Sequence, residues 1–105
     1  MKIPTKLKIG GHQYKILFPY HFKELNHANG QHDHTVNEIR ISDIDSAGIK
    51  RVDSQLFVTL IHEIMHGLDR LTGQYRLEDK DGNDEYLHSL SEMIYQFLTD
   101  NGYLK

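Results

Sequence analysis

The sequence predicts an α+β fold in which a small antiparallel sheet carries two long helices. Three observations support this prediction. The first half of the chain consists of short alternating segments separated by turn signals. The second half contains two stretches in which apolar residues recur at helical spacing. The length of 105 residues is that of one domain.

Four short strands are predicted in the first half. The segments KLKI and QYKILF alternate polar and apolar residues around Gly10-Gly11, which indicates a β-hairpin. After the turn signal Asn29-Gly30, the segments GQHDH and NEIRIS form a second pair of strands joined at residues 35–37. Ile39 and Ile41 should share one face of the last strand.

Two helices are predicted in the second half. The first runs from about Asp53 to Leu71, with Asp53 or Ser54 as its N-cap. Its core face is expected to hold Phe57, Leu60, Ile64, Leu68 and Leu71. The second runs from about Asn83 to Thr99 and is stopped by Asn101-Gly102. Its core stripe is expected to be Leu87, Leu90, Ile94 and Leu98.

Composition and charge narrow the class of protein. The net charge of -3 does not favour a nucleic-acid partner, because a domain of this size that binds DNA usually carries a basic face. No stretch approaches the roughly 20 apolar residues of a membrane span, and the N-terminus lacks the apolar core of a secretory signal. The chain contains no cysteine, which is typical of a cytoplasmic protein. Eight histidines are the unusual feature.

The motif H-E-x-x-H lies inside the first predicted helix. His62 and His66 are four positions apart, so the two imidazoles lie about 40° from each other on one helix face and can bind one metal ion. Glu63 points about 100° away from His62, where its carboxylate can act as a general base beside the ion. The sequence therefore predicts a zinc site with a catalytic carboxylate.

A third protein ligand is expected from the second helix, since catalytic zinc usually has three protein ligands. Periodicity places Asp84 and His88 on one flank of the apolar stripe of that helix. Glu85 and Glu92 point away from the stripe and are expected to be solvated. The residues alone favour Asp84 or His88 as the ligand.

The chain resembles minimal zincin-type metallopeptidases of phages and mobile elements, a gluzincin-like group akin to the ImmA/IrrE proteins. The resemblance rests on H-E-x-x-H followed by an acidic residue on a second helix. In that group the second helix carries E-x-x-x-[D/N/E], whose first residue binds zinc and whose second supports a zinc-bound histidine. The matching positions are Asp84 and His88, and a shift of one residue would substitute Glu85. The resemblance also implies that the strand from Asn37 to Ser42 is the edge strand, along which a peptide substrate would add.

Several other residues are candidates for supporting roles. Asp69 could orient the imidazole of His66, or it could be a solvated acid near the helix end. The segment HDH, with His32 and His34 on one strand face, could bind a second metal ion, although exposed strand residues are the commoner case. His27 lies just before this segment. The candidates for stabilising an oxyanion are Tyr75, Tyr86 and Tyr95.

The sequence therefore predicts a zinc-dependent hydrolase that cleaves a peptide or protein substrate. A first alternative is a zinc-bearing regulatory protein of a mobile element that binds a partner without cleaving it. A second alternative is a structural zinc site closed by four protein ligands, with His88 beside Asp84. The natural substrate and the oligomeric state are not predicted.

Overall fold

The computed structural model describes residues 2–22, 29–73, 76–77 and 83–104, and it shows an α+β fold. Four strands and two helices follow one another in the predicted order. Their bounds are β1 Lys6–Ile9, β2 His12–Leu17, β3 Gly30–Asp33, β4 Glu38–Ile41, α1 Asp53–Thr72 and α2 Glu85–Asp100. Neither α1 nor α2 is long and apolar enough to cross a membrane.

The four strands form one mixed sheet in the order β1-β2-β4-β3. Both predicted hairpins are present, because β1 pairs antiparallel with β2 and β3 pairs antiparallel with β4. The expected all-antiparallel sheet is wrong at the junction of the hairpins, where β2 and β4 run parallel. A parallel neighbour requires a long crossover, which the chain from residue 18 to residue 37 provides.

The position of β4 corrects the expected edge strand. The segment from Asn37 to Ser42 contains β4, which is hydrogen-bonded to β2 on one side and to β3 on the other. The sheet edge that lies beside the first helix is therefore β3. Alternation along β3 turns Gly30 and His32 toward α1, while Gln31 and Asp33 bond to Arg40 on the opposite face.

One face of the sheet packs on α1 and forms the core with it, and α2 packs on α1. Ile39 and Ile41 share this face, as predicted, and both are fully buried. The buried residues of the main cluster are Ile9, Tyr14, Ile16, Ile39, Ile41, Leu56, Phe57 and Leu60. Each large side chain in such a cluster contributes about 1.5–3 kcal/mol through burial.

The sheet-facing side of α1 differs from the predicted core face. Leu68 and Leu71 are 44% and 48% exposed, so their assignment to the core is wrong. Phe57 and Leu60 are buried, as predicted, but the buried line then continues through Glu63 and Gly67. The reason is that Gly67 has no side chain and lets the sheet approach closely: a Cβ atom there would lie 3.1 Å from His32 Nε2. The helix is thus rotated toward its polar side.

The start of α1 also differs from the prediction. The N-cap is Val52, with no capping side chain, in place of Asp53 or Ser54. Arg51, just before it, donates hydrogen bonds to the carbonyl oxygens of Asn29, Ser42 and Gln55 at 3.2, 2.8 and 3.2 Å. These bonds join the chain before β3, the end of β4 and the first turn of α1. They fix the entry of the helix without a side-chain cap.

The bounds of α2 agree with the prediction to within two residues, and the helix is followed by its C-cap Asn101 and by Gly102 in a left-handed conformation. It begins at Glu85, whose backbone N–H donates to the Asn83 side chain at 3.1 Å. Leu87 is fully buried, as expected of the core stripe. Ser91 is fully buried too, and its hydroxyl donates to the Leu87 carbonyl at 2.8 Å.

Candidate metal centre

Three side chains from α1 and the start of α2 converge on one point. The Nε2 atoms of His62 and His66 lie 3.1 Å apart. Oδ2 of Asp84 lies 2.9 Å from the first nitrogen and 3.2 Å from the second. Among the described residues, these three side chains form a group of histidine and acidic residues whose ligand atoms all lie within 4.8 Å of one another.

The triangle has the dimensions of a metal site. A tetrahedral ion with bonds of about 2.0–2.1 Å holds its ligand atoms about 3.3 Å apart. The three observed separations are close to that value. Two imidazole nitrogens and one carboxylate oxygen are a donor set that suits zinc and other first-row divalent metals. The residues present therefore fit a metal ion.

Asp84 reaches the cluster because it precedes α2. It is the N-cap residue of α2, and yet its side chain makes no capping hydrogen bond to the helix. The neighbouring Asn83 instead accepts the N–H of Glu85, which leaves the Asp84 carboxylate to face the two histidines. The shorter side chain of aspartate is sufficient here, since the helix starts directly opposite α1.

The two other candidates for the third ligand lie elsewhere. His88 is one turn further along α2, with a 55% exposed side chain, and its Nε2 lies 3.7 Å from a Glu92 carboxylate oxygen. Its ring centroid is 5.7 Å from that of His62, and it is not part of the convergent group. Glu85 is exposed, as expected of a solvated acid. The structure thus brings Asp84 to the histidines, whereas His88 lies beside His62 and lines the smaller cavity without joining the convergent atoms.

Glu63 lies beside the cluster and is 6% exposed. Two cavities of about 380 and 330 Å³ flank it, and both are lined by Gly30, His62, Glu63 and Asp84. The two cavities share these residues, so one cleft passes across the cluster with the Glu63 carboxylate in its wall. A substrate could therefore extend to both sides of the three converging atoms.

Burial and charge both favour the protonation states that metal binding requires. Burial lowers the pKa of His62, against the opposing charge of Asp84, and favours the neutral imidazole. Burial alone would raise the pKa of Asp84, but the charges and hydrogen bonds of His62 and His66 outweigh it and lower the pKa. A metal ion binds neutral imidazole and ionised carboxylate, so the lowered pKa of His62 favours ligation. The lowered pKa of Asp84 reflects protonated histidines, whose positive charge a bound ion would replace.

The expected supporting residues divide into three groups. Asp69 is buried, and its two carboxylate oxygens accept the backbone N–H groups of Arg76 and Leu77 at 2.7 and 3.1 Å. It therefore anchors the chain that follows α1. Tyr86 is 65% exposed, and Tyr95 packs against the core. The remaining candidates, His27 and Tyr75, lie outside the described residues.

His32, considered in the sequence as part of a second metal site, instead bonds to a tyrosine. Its Nε2 atom lies 2.8 Å from the hydroxyl oxygen of Tyr14, and it lines the larger cavity together with His34. Sequence reasoning missed Tyr14 as a residue near the site. The available signal was the alternation of β2, which turns Tyr14 to the same face as the buried Ile16.

No protein-family model matches the chain, no curated protein matches it, and no solved structure matches its fold. The resemblance to zincin-type metallopeptidases therefore stays a prediction, and the functional argument depends on the geometry of the site.

Proposed function

We propose that this protein is a zinc-dependent peptidase in which His62, His66 and Asp84 hold the ion and Glu63 is the general base. The observation that carries the proposal is the triangle of two Nε2 atoms and one Oδ2 atom, with sides of 2.9, 3.1 and 3.2 Å. It lies in a cleft whose wall includes a buried carboxylate. A purely structural metal site has no need of that carboxylate.

A zinc ion held by these atoms would polarise a substrate carbonyl and make a water molecule more acidic. The Glu63 carboxylate accepts a proton from the attacking water and later donates it to the leaving amine nitrogen, as the peptide C–N bond breaks. Its burial keeps bulk water away from this carboxylate and strengthens its electrostatic effect on the reacting groups.

The cleft also supports a choice of substrate. It is bordered by β3, the edge strand of the sheet, whose backbone can pair with an added strand. An extended segment of a polypeptide would lie along β3 and cross the cluster. We therefore expect unfolded proteins or flexible peptides to be cleaved, and we expect the reaction to take place in the cytoplasm, since the chain contains no cysteine.

The test begins with the metal. Protein purified without chelators is assayed for bound zinc and then incubated with unfolded casein, with and without a zinc chelator. The substitution Glu63→Gln should keep the zinc and reduce hydrolysis by about 10²–10⁴-fold, the usual contribution of general acid–base catalysis. Glu92→Gln is the matched control, because it makes the same chemical change on a half-exposed side chain of α2.

The outcomes separate the candidate functions. Undiminished hydrolysis by Glu63→Gln contradicts the role of Glu63 as a base. Bound zinc without chelator-sensitive cleavage contradicts the peptidase proposal and favours a zinc-bearing protein that binds a partner. A site closed by a fourth protein ligand has little support from the geometry, because the ligand atoms that converge within the described residues belong to His62, His66 and Asp84 and not to His88.

A further inference from the structure

His32 lies in the wall of the same cleft as the metal cluster. The larger cavity is lined by His32 together with Glu63 and His66. The side chain reaches this cavity from β3, on the sheet face that packs against α1. Because His32 belongs to β3, a polypeptide lying along β3 would pass beside it. The imidazole is thus placed to contact a substrate.

Tyr14 and α1 hold the ring of His32 in one orientation. The Tyr14 hydroxyl lies 2.8 Å from Nε2, and the two rings stack with centroids 5.3 Å apart and planes 24° apart. Tyr14 is itself only 5% exposed, so its own position is fixed by the core. The same nitrogen also packs closely on Gly67 of α1, where an added Cβ atom would lie 3.1 Å from it. This nitrogen is therefore occupied.

The other ring nitrogen, Nδ1, makes no hydrogen bond to any residue that the structure describes. Neutral imidazole has one nitrogen that donates and one that accepts. Burial raises the pKa of Tyr14, so its hydroxyl keeps its proton, and burial lowers the pKa of His32 and favours the neutral ring. If the Tyr14 hydroxyl donates to Nε2, the proton of His32 must be on Nδ1.

We infer that His32 is a catalytic residue whose Nδ1–H donates a hydrogen bond to the scissile carbonyl oxygen of the peptide in the cleft. Tyr14 is a positioning residue, because it acts only by fixing the tautomer and orientation of His32. This inference rests on the proposed peptidase function. A donor aimed at a carbonyl oxygen is most effective when negative charge develops on that oxygen, so the contact should affect turnover more than binding.

The first experiment measures the tautomer without any enzymatic assay. Nitrogen NMR of labelled, zinc-loaded protein should show His32 with a protonated Nδ1 and an unprotonated Nε2. In Tyr14→Phe, which removes only the hydroxyl, the signals should shift toward a mixture of the two tautomers. A wild-type His32 that carries its proton on Nε2 overturns the assignment of Nδ1 as the donor.

The second experiment measures turnover. For His32→Ala, kcat should fall about 10²-fold, the loss typical of one such donor, while KM changes less than about threefold. His32→Asn should recover part of this loss, because its amide nitrogen can take the place of Nδ1, and His32→Gln should not. Tyr14→Phe should lower kcat about tenfold, in line with the loss of one hydrogen bond. The control is His12→Ala, an exposed histidine of β2.

Zinc affinity is measured for every variant and should not change, since the ligand atoms belong to other residues. An active wild-type enzyme whose kinetics survive His32→Ala contradicts the inference alone. A loss of zinc in His32→Ala also contradicts it and points to a role in the metal site. A wild-type protein with zinc but no hydrolysis defeats the peptidase proposal and the substrate role together, whereas the link between Tyr14 and His32 is still decided by NMR.

Discussion

The close approach of β3 to α1 makes a sharp prediction about Gly67. Replacing Gly67 by alanine should stabilise the helix by about 1 kcal/mol, because glycine is the poorer helix former. The new Cβ atom would lie 3.1 Å from His32 Nε2 and 3.2 Å from Ile9 Cδ1. Overpacking of this kind costs about 1–3 kcal/mol. The net expectation is a destabilisation of about 0–2 kcal/mol, against the sign of helix propensity.

The contribution of His32 is isolated by repeating the substitution in a His32→Ala background. There the imidazole is absent, so Gly67→Ala meets only the flexible end of Ile9 and should stabilise by about 1 kcal/mol, the gain in helix propensity. Free energies of unfolding are measured by urea denaturation in the presence of a chelator, so that metal binding does not contribute. The two backgrounds should differ by about 1–3 kcal/mol. Equal effects within about 0.5 kcal/mol would refute the packing argument.

Two further predictions concern the ligands and the β3–β4 hairpin. Asp84→Ala should weaken zinc binding at least about 100-fold, because even residues behind the ligands contribute 10–100-fold. In the wild type, zinc at about 100 times its Kd should raise the melting temperature by about 10–20 °C, and Asp84→Ala should abolish this rise. The control His88→Ala should keep both the zinc affinity and the rise in melting temperature. Calorimetric titration measures the affinity, and thermal melts measure the rise. The Thr35 side chain and then Arg40 lower the pKa of Asp33 from 3.8 to about 2. The ionised carboxylate of Asp33 therefore stabilises the fold above pH 3.8. The difference in free energy of unfolding between wild type and Asp33→Asn, measured by urea titration, should shrink as the pH falls from about 4 toward 2. A difference that stays constant over that range would contradict this prediction.

Local patterns in the sequence were sufficient for the elements and for the part of the site that lies on α1. The two hairpins follow from alternation around Gly10-Gly11 and around residues 35–37, and both are present. His62, Glu63 and His66 lie on a single helix, so their mutual arrangement depends only on helical periodicity. These predictions required no knowledge of how distant segments pair.

The strand order required that knowledge, and there the prediction was wrong. Alternation shows which residues of β4 face the core, but it does not show which strands lie on the two sides of β4. The structure places β4 between them, which makes β3 the edge and brings His32 to the cleft. The pairing of Tyr14 with His32 joins two strands that are not neighbours in the sheet, so no local pattern could indicate it.

Two glycines connect this sheet edge to the chemistry of the site. A Cβ atom at Gly30 would press on the side chain of Thr59 and lie 3.1 Å from Glu63 Oε2, and one at Gly67 would lie 3.1 Å from His32 Nε2. On β3, Gly30 lacks a side chain where α1 carries Glu63. On α1, Gly67 lacks one where β3 carries His32. Because both contacts are so short, a bulkier residue at either position would push β3 away from α1. Such a shift would move His32 and uncover Glu63, while His62, His66 and Asp84 would keep their positions on the two helices. Catalysis should therefore depend on these glycines more steeply than metal binding does.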